Sequence, residues 1–291
     1  MTTTHVAIAL LLAIYDLPWI VIVLVAWSLG GVFSNSAALA MHESSHQLVI
    51  PGAVPSVLIG TVASIPLFFP AYASFRHYHK AHHSYNTIED QGGHNAHDLP
   101  KYDPDLPTEY EALLFSKSWW RRMGFLLMQP FVYSIRPLVQ APRAPTWEDA
   151  VNGAGHVLSW IIYGYFGGSK SVIYALCAAL LGQGLHIGAI HFIAEHYQLT
   201  GRCMHEDKKN ARDTYSYYGP VNYMIYNGGY HVEHHDFPKV PCRRLPKVRA
   251  MAPEFYESLE YHTSYSKILL RFVFDHEGLW QRVKRLHIKS D

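Results

Sequence analysis

The sequence predicts an all-α integral membrane protein with about four transmembrane helices and a cytosolic helical cap. Three observations predict it. Charged residues are only 16% of the 291, against roughly 25% in soluble domains, while aromatic residues reach 14%. The first 75 residues contain no Lys or Arg, and their carboxylates are Asp16 and Glu43. Basic residues are also segregated: 23 of the 24 Lys and Arg fall in 76–143 or 202–289, which assigns both polar stretches to the cytoplasmic side of a bilayer. A mean hydropathy of −0.02 is then an average over apolar spans and polar segments.

Taken in order, residues 5–15 form a short apolar first span. No basic region precedes it and no cleavage-like site follows, so a removable signal peptide is the weaker reading. DLPW at Asp16 to Trp19 reads as a tight connection, and 17–41 is long enough to cross about 30 Å of hydrocarbon, which takes roughly 20 helical residues. Residues 49–74 are apolar but carry Pro51, Pro55, Pro66 and Pro70. One crossing there would put Arg76 outside. Two would need about 40 helical residues, and 32 separate His46 from His79. The stretch therefore reads as an interfacial or re-entrant segment, with its irregular backbone against protein. Residues 76–147 are cytosolic. The apolar chain then resumes from Val151 to Ala194, broken by GGSK at Gly167 to Lys170, which gives spans at 151–167 and 171–194 joined by a lumenal turn. Residues 198–291 return to the cytosol. No internal repeat divides the chain, so 1–291 reads as one membrane domain.

Composition excludes several functions. With 24 basic against 23 acidic side chains there is no net field to attract nucleic acid. Cys177, Cys203 and Cys242 cannot pair evenly, which rules out a disulfide scaffold and a Cys-based zinc module. Twenty histidines are the anomaly.

Eight of them fall in three spaced sets. His42 and His46, in HESSH at the cytosolic end of the second span, share one helical face through their i, i+4 spacing. His79, His82 and His83 in HKAHH, and His231, His234 and His235 in HVEHH, repeat that logic outside the spans on the same side. HExxH alone is also a zinc-protease signature. Eight imidazoles exceed the three protein ligands such a zinc uses and suit two metals, so the cytosolic cap carries a histidine-box dimetal site. Imidazole does not name the ion, but a membrane site without an evident nucleophile or phosphate loop favours oxygen activation by iron over hydrolysis. No catalytic residue beyond the metal ligands is assigned.

His186, His191 and His196 end the fourth span at five-residue spacing, which rotates them apart on a straight helix. His196, the most cytosolic, is best placed as a ninth ligand, and the other two read as groups bonded within the bundle. Glu43, Glu195 and Glu233 stand beside ligand histidines, where a carboxylate can fix an imidazole tautomer. Asn227 reads either as such an outer partner or as a turn residue beside Gly228 and Gly229. His5, His156, His205, His262, His276 and His287 are isolated and read as solvated side chains. His77, His94 and His97 complete no further spaced set.

These boxes resemble those of the membrane-bound desaturase and hydroxylase superfamily. Within it the chain is similar to the sphingolipid delta-4 (dihydroceramide) desaturases through HFIAEHY at 191–197, TYSYYGP at 214–220 and GYHVEHHDFP at 229–238, continuing through LPKVR at 245–249 and APEFYESLEYH at 252–262. It departs from that pattern at Ile187 and Ile190, which replace a proline and a glycine, in a longer linker at 198–213, in QGGHNAHD at 91–98, and in lacking the usual N-terminal cytosolic segment. The resemblance implies a diiron enzyme of the endoplasmic reticulum membrane, multi-pass, with its boxes facing the cytosol. It would consume O2 and two electrons, delivered by cytochrome b5 and its NADH-dependent reductase, to place a trans double bond in dihydroceramide. The alternatives are a sphingolipid C4-hydroxylase or fatty-acyl desaturase of the same superfamily and, from another class, a histidine-rich metal transporter.

Overall fold

The structure is a computed structural model that describes residues 1–88, 109–115, 117–196 and 214–275. Thirteen α-helices are assigned among them. They are α1 (Thr2–Ile14), α2 (Trp19–Val25), α3 (Gly31–Ser45), α4 (Ala53–Ser64), α5 (Tyr72–Ile88), α6 (Glu109–Phe115) and α7 (Trp119–Gln140), followed by α8 (Trp147–Gly184), α9 (His191–Ala194), α10 (His231–Asp236), α11 (Leu245–Met251), α12 (Pro253–Tyr256) and α13 (Tyr265–Phe274). A π-helical stretch, Ala26–Gly30, joins α2 to α3, so Trp19–Ser45 runs on as 27 residues. That is the one described helix long and apolar enough to cross a membrane by itself, or one of three if each bent helix pair counts as a span. It starts two residues later than the expected 17–41 and ends four residues, about one turn, beyond it. Two two-residue strands, β1 (Ser216–Tyr217) and β2 (Tyr261–His262), pair in parallel, which an all-α reading did not anticipate. Both lie in aromatic-rich segments, which suit a pleated, half-buried surface.

The chain forms two compact units. The first comprises Met1–Lys80, Leu126–Ala189 and Met224–Tyr226. Its elements end where the local chemistry says they should. After α1, Asp16 turns left-handed at φ 48°, the Asp16 and Leu17 N–H groups donate to Ala13 and Leu12, and Pro18 starts the next helix. The tight connection read from DLPW takes the form of a Schellman closure. In α8 the break falls at Gly168, whose φ of 58° and ψ of −155° only glycine adopts readily, so GGSK divides the helix as its composition suggests. Lys170 in that turn donates to Asp16 Oδ1 at 2.6 Å and to the Leu17 carbonyl at 2.7 Å, tying the two turns together. A capping box of Thr146 and Asp149, backed by Arg143 on both Asp149 oxygens, starts α8. The second half of α8 stops at Gly184, short of the expected 194. A 3-10 turn, Ile187–Ile190, follows it.

Close packing of α3 on α8 uses small residues. A Cβ on Gly182 would stand 2.7 Å from the Gly31 Cα, and one on Gly30 would stand 2.7 Å from the Ala178 Cβ. Without a hydrophobic drive between helices in lipid, such approach and buried hydrogen bonds hold them. Asn35 Nδ2 supplies the bonds, donating to the Gly31 and Gly182 carbonyls at 2.8 and 2.9 Å. Ser34 Oγ donates to the Ala178 carbonyl at 3.0 Å. The 49–74 segment folds as α4, whose 12 residues rise about 18 Å, and a 3-10 turn, then bends by 115° into α5.

The second unit comprises Ala81–Phe125, Ile190–Tyr223 and Asn227–Asp291. Its regular elements are short, and side chains carry more of the connection. Tyr217 stacks on Tyr265 with ring centroids 3.7 Å apart, the Tyr218 N–H donates to the His262 carbonyl, and buried Arg122 donates from Nε to the Val273 carbonyl at 2.7 Å.

Candidate metal centre

Box one sits at the close of α3. Gln47 adopts φ 62°, its N–H donates to Ser44 and the Leu48 N–H to Glu43, a second Schellman closure made without glycine. The helix therefore stops as soon as both imidazoles have been presented. In the first unit His42, His46 and His79 are buried together, with ring centroids 4.5 to 5.0 Å apart and ligand nitrogens within 4.8 Å. Phe75, one turn before His79 on α5, stacks on its ring at 4.7 Å.

In the second unit six histidines converge, all buried. Four Nε2 atoms form a continuous path: His196 to His231 at 3.1 Å, His231 to His235 at 3.0 Å, and His235 to His82 at 3.4 Å. His83 and His234 face each other through Nε2 at 3.0 Å, as His46 and His79 do in the first unit.

The donor set fits metal ions. Two nitrogens held about 2.1 Å from one ion at 90–110° stand roughly 3.0–3.4 Å apart, which is the range of all five separations. Hydrogen bonding alone fits less well, because His231 and His235 each turn one Nε2 toward two others and a neutral ring nitrogen has one proton or one lone pair to offer. Burial, followed by the neighbouring rings of His231, His83, His82 and His196, holds the His235 pKa well below the ordinary imidazole value. A neutral ring is the form that binds metal.

The outer residues divide. Glu195 Oε1 lies 3.1 Å from His191 Nδ1 and 3.6 Å from His231 Nδ1, the placement expected of a carboxylate that orients a ligand ring from behind. Glu43 is half-buried between His42 and His46 in sequence. Asn227 takes the turn role, with φ 64°, its N–H on the Asn222 carbonyl and its own carbonyl accepting from Tyr230. Glu233 is fully buried and accepts hydrogen bonds from the Ser216 and Tyr218 hydroxyls, both at 2.7 Å.

Of the C-terminal trio of the fourth apolar stretch, His196 joins the six-histidine cluster and His191 pairs with Glu195. His186 is 3.4 Å from Asn35 Nδ2 and accepts the Gly188 N–H at Nδ1. A 3-10 turn, Ile187–Ile190, stands in sequence between His186 and His191, where five-residue spacing assumed a straight helix. The isolated histidines correct the expectation of solvated rings. His5 is buried among Tyr174 and Phe33, His156 lies 3.1 Å from Ser64 Oγ, and His262 is partly buried beside Tyr215. His94, His97, His205, His276 and His287 and the 198–213 linker lie outside the described residues. Sequence reasoning assigned no role to Thr214, Ser216 or Tyr218. The signal was there in TYSYYGP, whose alternate hydroxyl residues share one face of an extended strand.

Comparison with known proteins agrees with this geometry. The fatty acid desaturase family pattern matches residues 17–266. The chain is 37% identical over 278 residues to sphingolipid delta(4)-desaturase DES1 of Drosophila melanogaster, covering 94% of this chain and 80% of that protein. It is 36% identical over 279 residues to the Homo sapiens protein of the same name, covering 95% and 80%. Sphingolipid delta(4)-desaturase/C4-monooxygenase DES2 of Bos taurus is 38% identical over 291 residues, covering 98% and 84%. A family match across most of the chain, around buried imidazoles spaced as metal ligands, leads to one conclusion: the chain belongs to the fatty acid desaturase family.

Proposed function

We propose that this chain is a sphingolipid delta-4 desaturase that converts dihydroceramide to ceramide. Per turnover, two hydrogens leave carbons 4 and 5, and with O2, two electrons and two protons they yield two waters. The observation that carries the reading is the facing of imidazole Nε2 atoms at 3.0 to 3.4 Å, in a chain 36–38% identical to proteins of that name.

His42, His46, His79, His82, His83, His196, His231, His234 and His235 are the ligands of two irons. When bound, iron supplies the oxygen activation needed to break an unactivated C–H bond, which side-chain acids and bases cannot do. The protein's own part is positional. Glu195 stands behind His231, its Oε1 3.6 Å from Nδ1, and burial favours the neutral form of the His235 ring. Cytochrome b5, reduced through its NADH-dependent reductase, delivers the electrons. Residues 5–15, 17–41, 151–167 and 171–194 form four crossings in the endoplasmic reticulum membrane, 49–74 is re-entrant, and the boxes face the cytosol. The short α4 and its 115° bend support the re-entrant assignment.

C4 hydroxylation begins with the same hydrogen removal, and the DES2 relative carries both activities in its name. Expression in cells that lack endogenous desaturase, followed by lipidomics, tests the reading. Ceramide should accumulate at the expense of dihydroceramide, and 4-hydroxylated product would report the second activity. Unchanged lipids with verified expression and iron loading would defeat the substrate assignment. About two irons per purified chain would support the metal assignment, and one tightly held zinc would point instead to a protease built on His42, Glu43 and His46.

A further inference from the structure

The segment Thr214–Pro220 contributes no metal ligand, yet two box elements hang from it within the second unit. Thr214 Oγ1 and the Tyr215 N–H both donate to the Glu195 carbonyl, at 2.7 and 2.9 Å, in the residue just before His196. Two residues on, Ser216 Oγ donates to Glu233 Oε2 at 2.7 Å and accepts the Val232 N–H at 2.9 Å. Two further on, Tyr218 donates its O–H to Glu233 Oε1 at 2.7 Å. Alternation in an extended chain turns these three hydroxyls to one face. Tyr215 and Tyr217 turn to the other, against His262 and Tyr265.

The strand is itself fixed. The Tyr217 N–H donates to the Gly229 carbonyl at 2.6 Å and the Tyr218 N–H to the His262 carbonyl at 2.8 Å. The helix it grips is short. Six residues carry His231, His234 and His235, too few to hold their own orientation by helical cooperativity. Glu233 stands among those histidines with no solvent exposure. Short hydrogen bonds to separate oxygens of a carboxylate are charge-assisted and directional, so they act as a two-point grip.

We propose that Ser216 and Tyr218 are positioning residues for the metal centre: by clamping both oxygens of Glu233 they set the rotation of the HVEHH helix, and with it the aim of three imidazoles. This rests on the metal-binding reading above. The Arg249 guanidinium lies 3.7 Å over the Tyr218 ring, so Tyr218→Phe keeps the ring and its stacking partner and removes the O–H alone.

The test uses the full chain, purified and loaded with isotopically enriched iron, and compares wild type with Tyr218→Phe, Ser216→Ala and Glu233→Gln. Iron content, Mössbauer spectrum, melting temperature and turnover of dihydroceramide are measured for each. Tyr218→Phe and Ser216→Ala should each lower iron affinity or kcat by about 10–100-fold, the range for outer partners of metal ligands, with KM little changed and an altered quadrupole splitting. Glu233→Gln should move in the same direction. Folded variants with wild-type iron content, spectrum and kcat would overturn the proposal. So would a loss accounted for by lower melting temperature while the folded fraction keeps the wild-type spectrum. A wild-type chain that binds no iron would overturn the metal reading and this proposal together, which separates the two failures.

Discussion

Boxes one and three present the same kind of donor by opposite means. His42 and His46 close a helical run of 27 residues, and the i, i+4 repeat of that helix is enough to bring their rings within 5.0 Å. Orientation there is inherited from distant packing: Gly31 against Gly182, and Asn35 bonded to the carbonyls of both. His231, His234 and His235 ride on a helix of six residues, where a buried carboxylate held by two hydroxyls adds a local anchor. The i, i+4 spacing that both boxes share is thus supported differently, according to how much helix stands behind it.

The largest effects should come from the proposed ligands, where the comparison predicts no difference. His42→Ala and His231→Ala should each reduce turnover more than 100-fold in lipidomic assays, with less iron in the purified protein. Tolerance of one but not the other would break the equivalence of the two boxes. Next comes packing behind box one. Gly182→Val puts branched carbon where even a Cβ would meet Gly31 backbone at 2.7 Å, so α3 or α8 must shift. The cost should be about 1–3 kcal/mol or more, read as a fall in melting temperature and in the folded fraction. A variant as stable as wild type would show that α3 does not draw its orientation from this contact.

A smaller loss is expected at Asn35. Asn35→Ala leaves two carbonyls without their side-chain donor, and buried polar contacts between membrane helices are worth about 0.6–1.7 kcal/mol. Turnover per folded molecule should drop only modestly, unlike the response to losing a hydroxyl that grips Glu233. Equal sensitivity at both places would mean that box one depends on local polar clamps after all.

The same contrast explains what was legible in the sequence. Spacing reveals a box wherever helix geometry does the placing, so His42, His46, His79, His82 and His83 needed nothing beyond i, i+3 and i+4. Glycine in GGSK and proline in DLPW announced their turns because each has a backbone preference of its own. His196 was separable from His186 and His191 by depth alone. The 3-10 turn at Ile187–Ile190 has no such signature, because its apolar residues read as a continuation of the preceding helix. Glu233 was visible as a carboxylate beside ligands, but its partners lie 15 and 17 residues back and meet it through tertiary folding. His5 and His156 read as solvated because a lone histidine usually is, and only packing shows them enclosed.

The smallest expected effect concerns acid and is confined to the loop-built region. His262 closes β2, its carbonyl accepting the Tyr218 N–H, and burial followed by the Arg271 charge lowers its pKa from 6.5 to about 4. The folded state therefore prefers the neutral ring, while the unfolded ring takes up a proton near pH 6.5. Stability from this preference is complete above that pH, declines as pH falls below 6.5, and is exhausted near pH 4. Between pH 7.5 and 5.5 the loss should be about 1 kcal/mol. The protection factor of the Tyr218 amide, its intrinsic exchange rate divided by the observed one, should fall about fivefold over that interval. Replacing His262 with Phe should flatten the change without touching the ligands. An unaltered pH dependence in that variant would place the acid response elsewhere, and would leave the strand beneath Glu233 no more acid-labile than the helices behind box one.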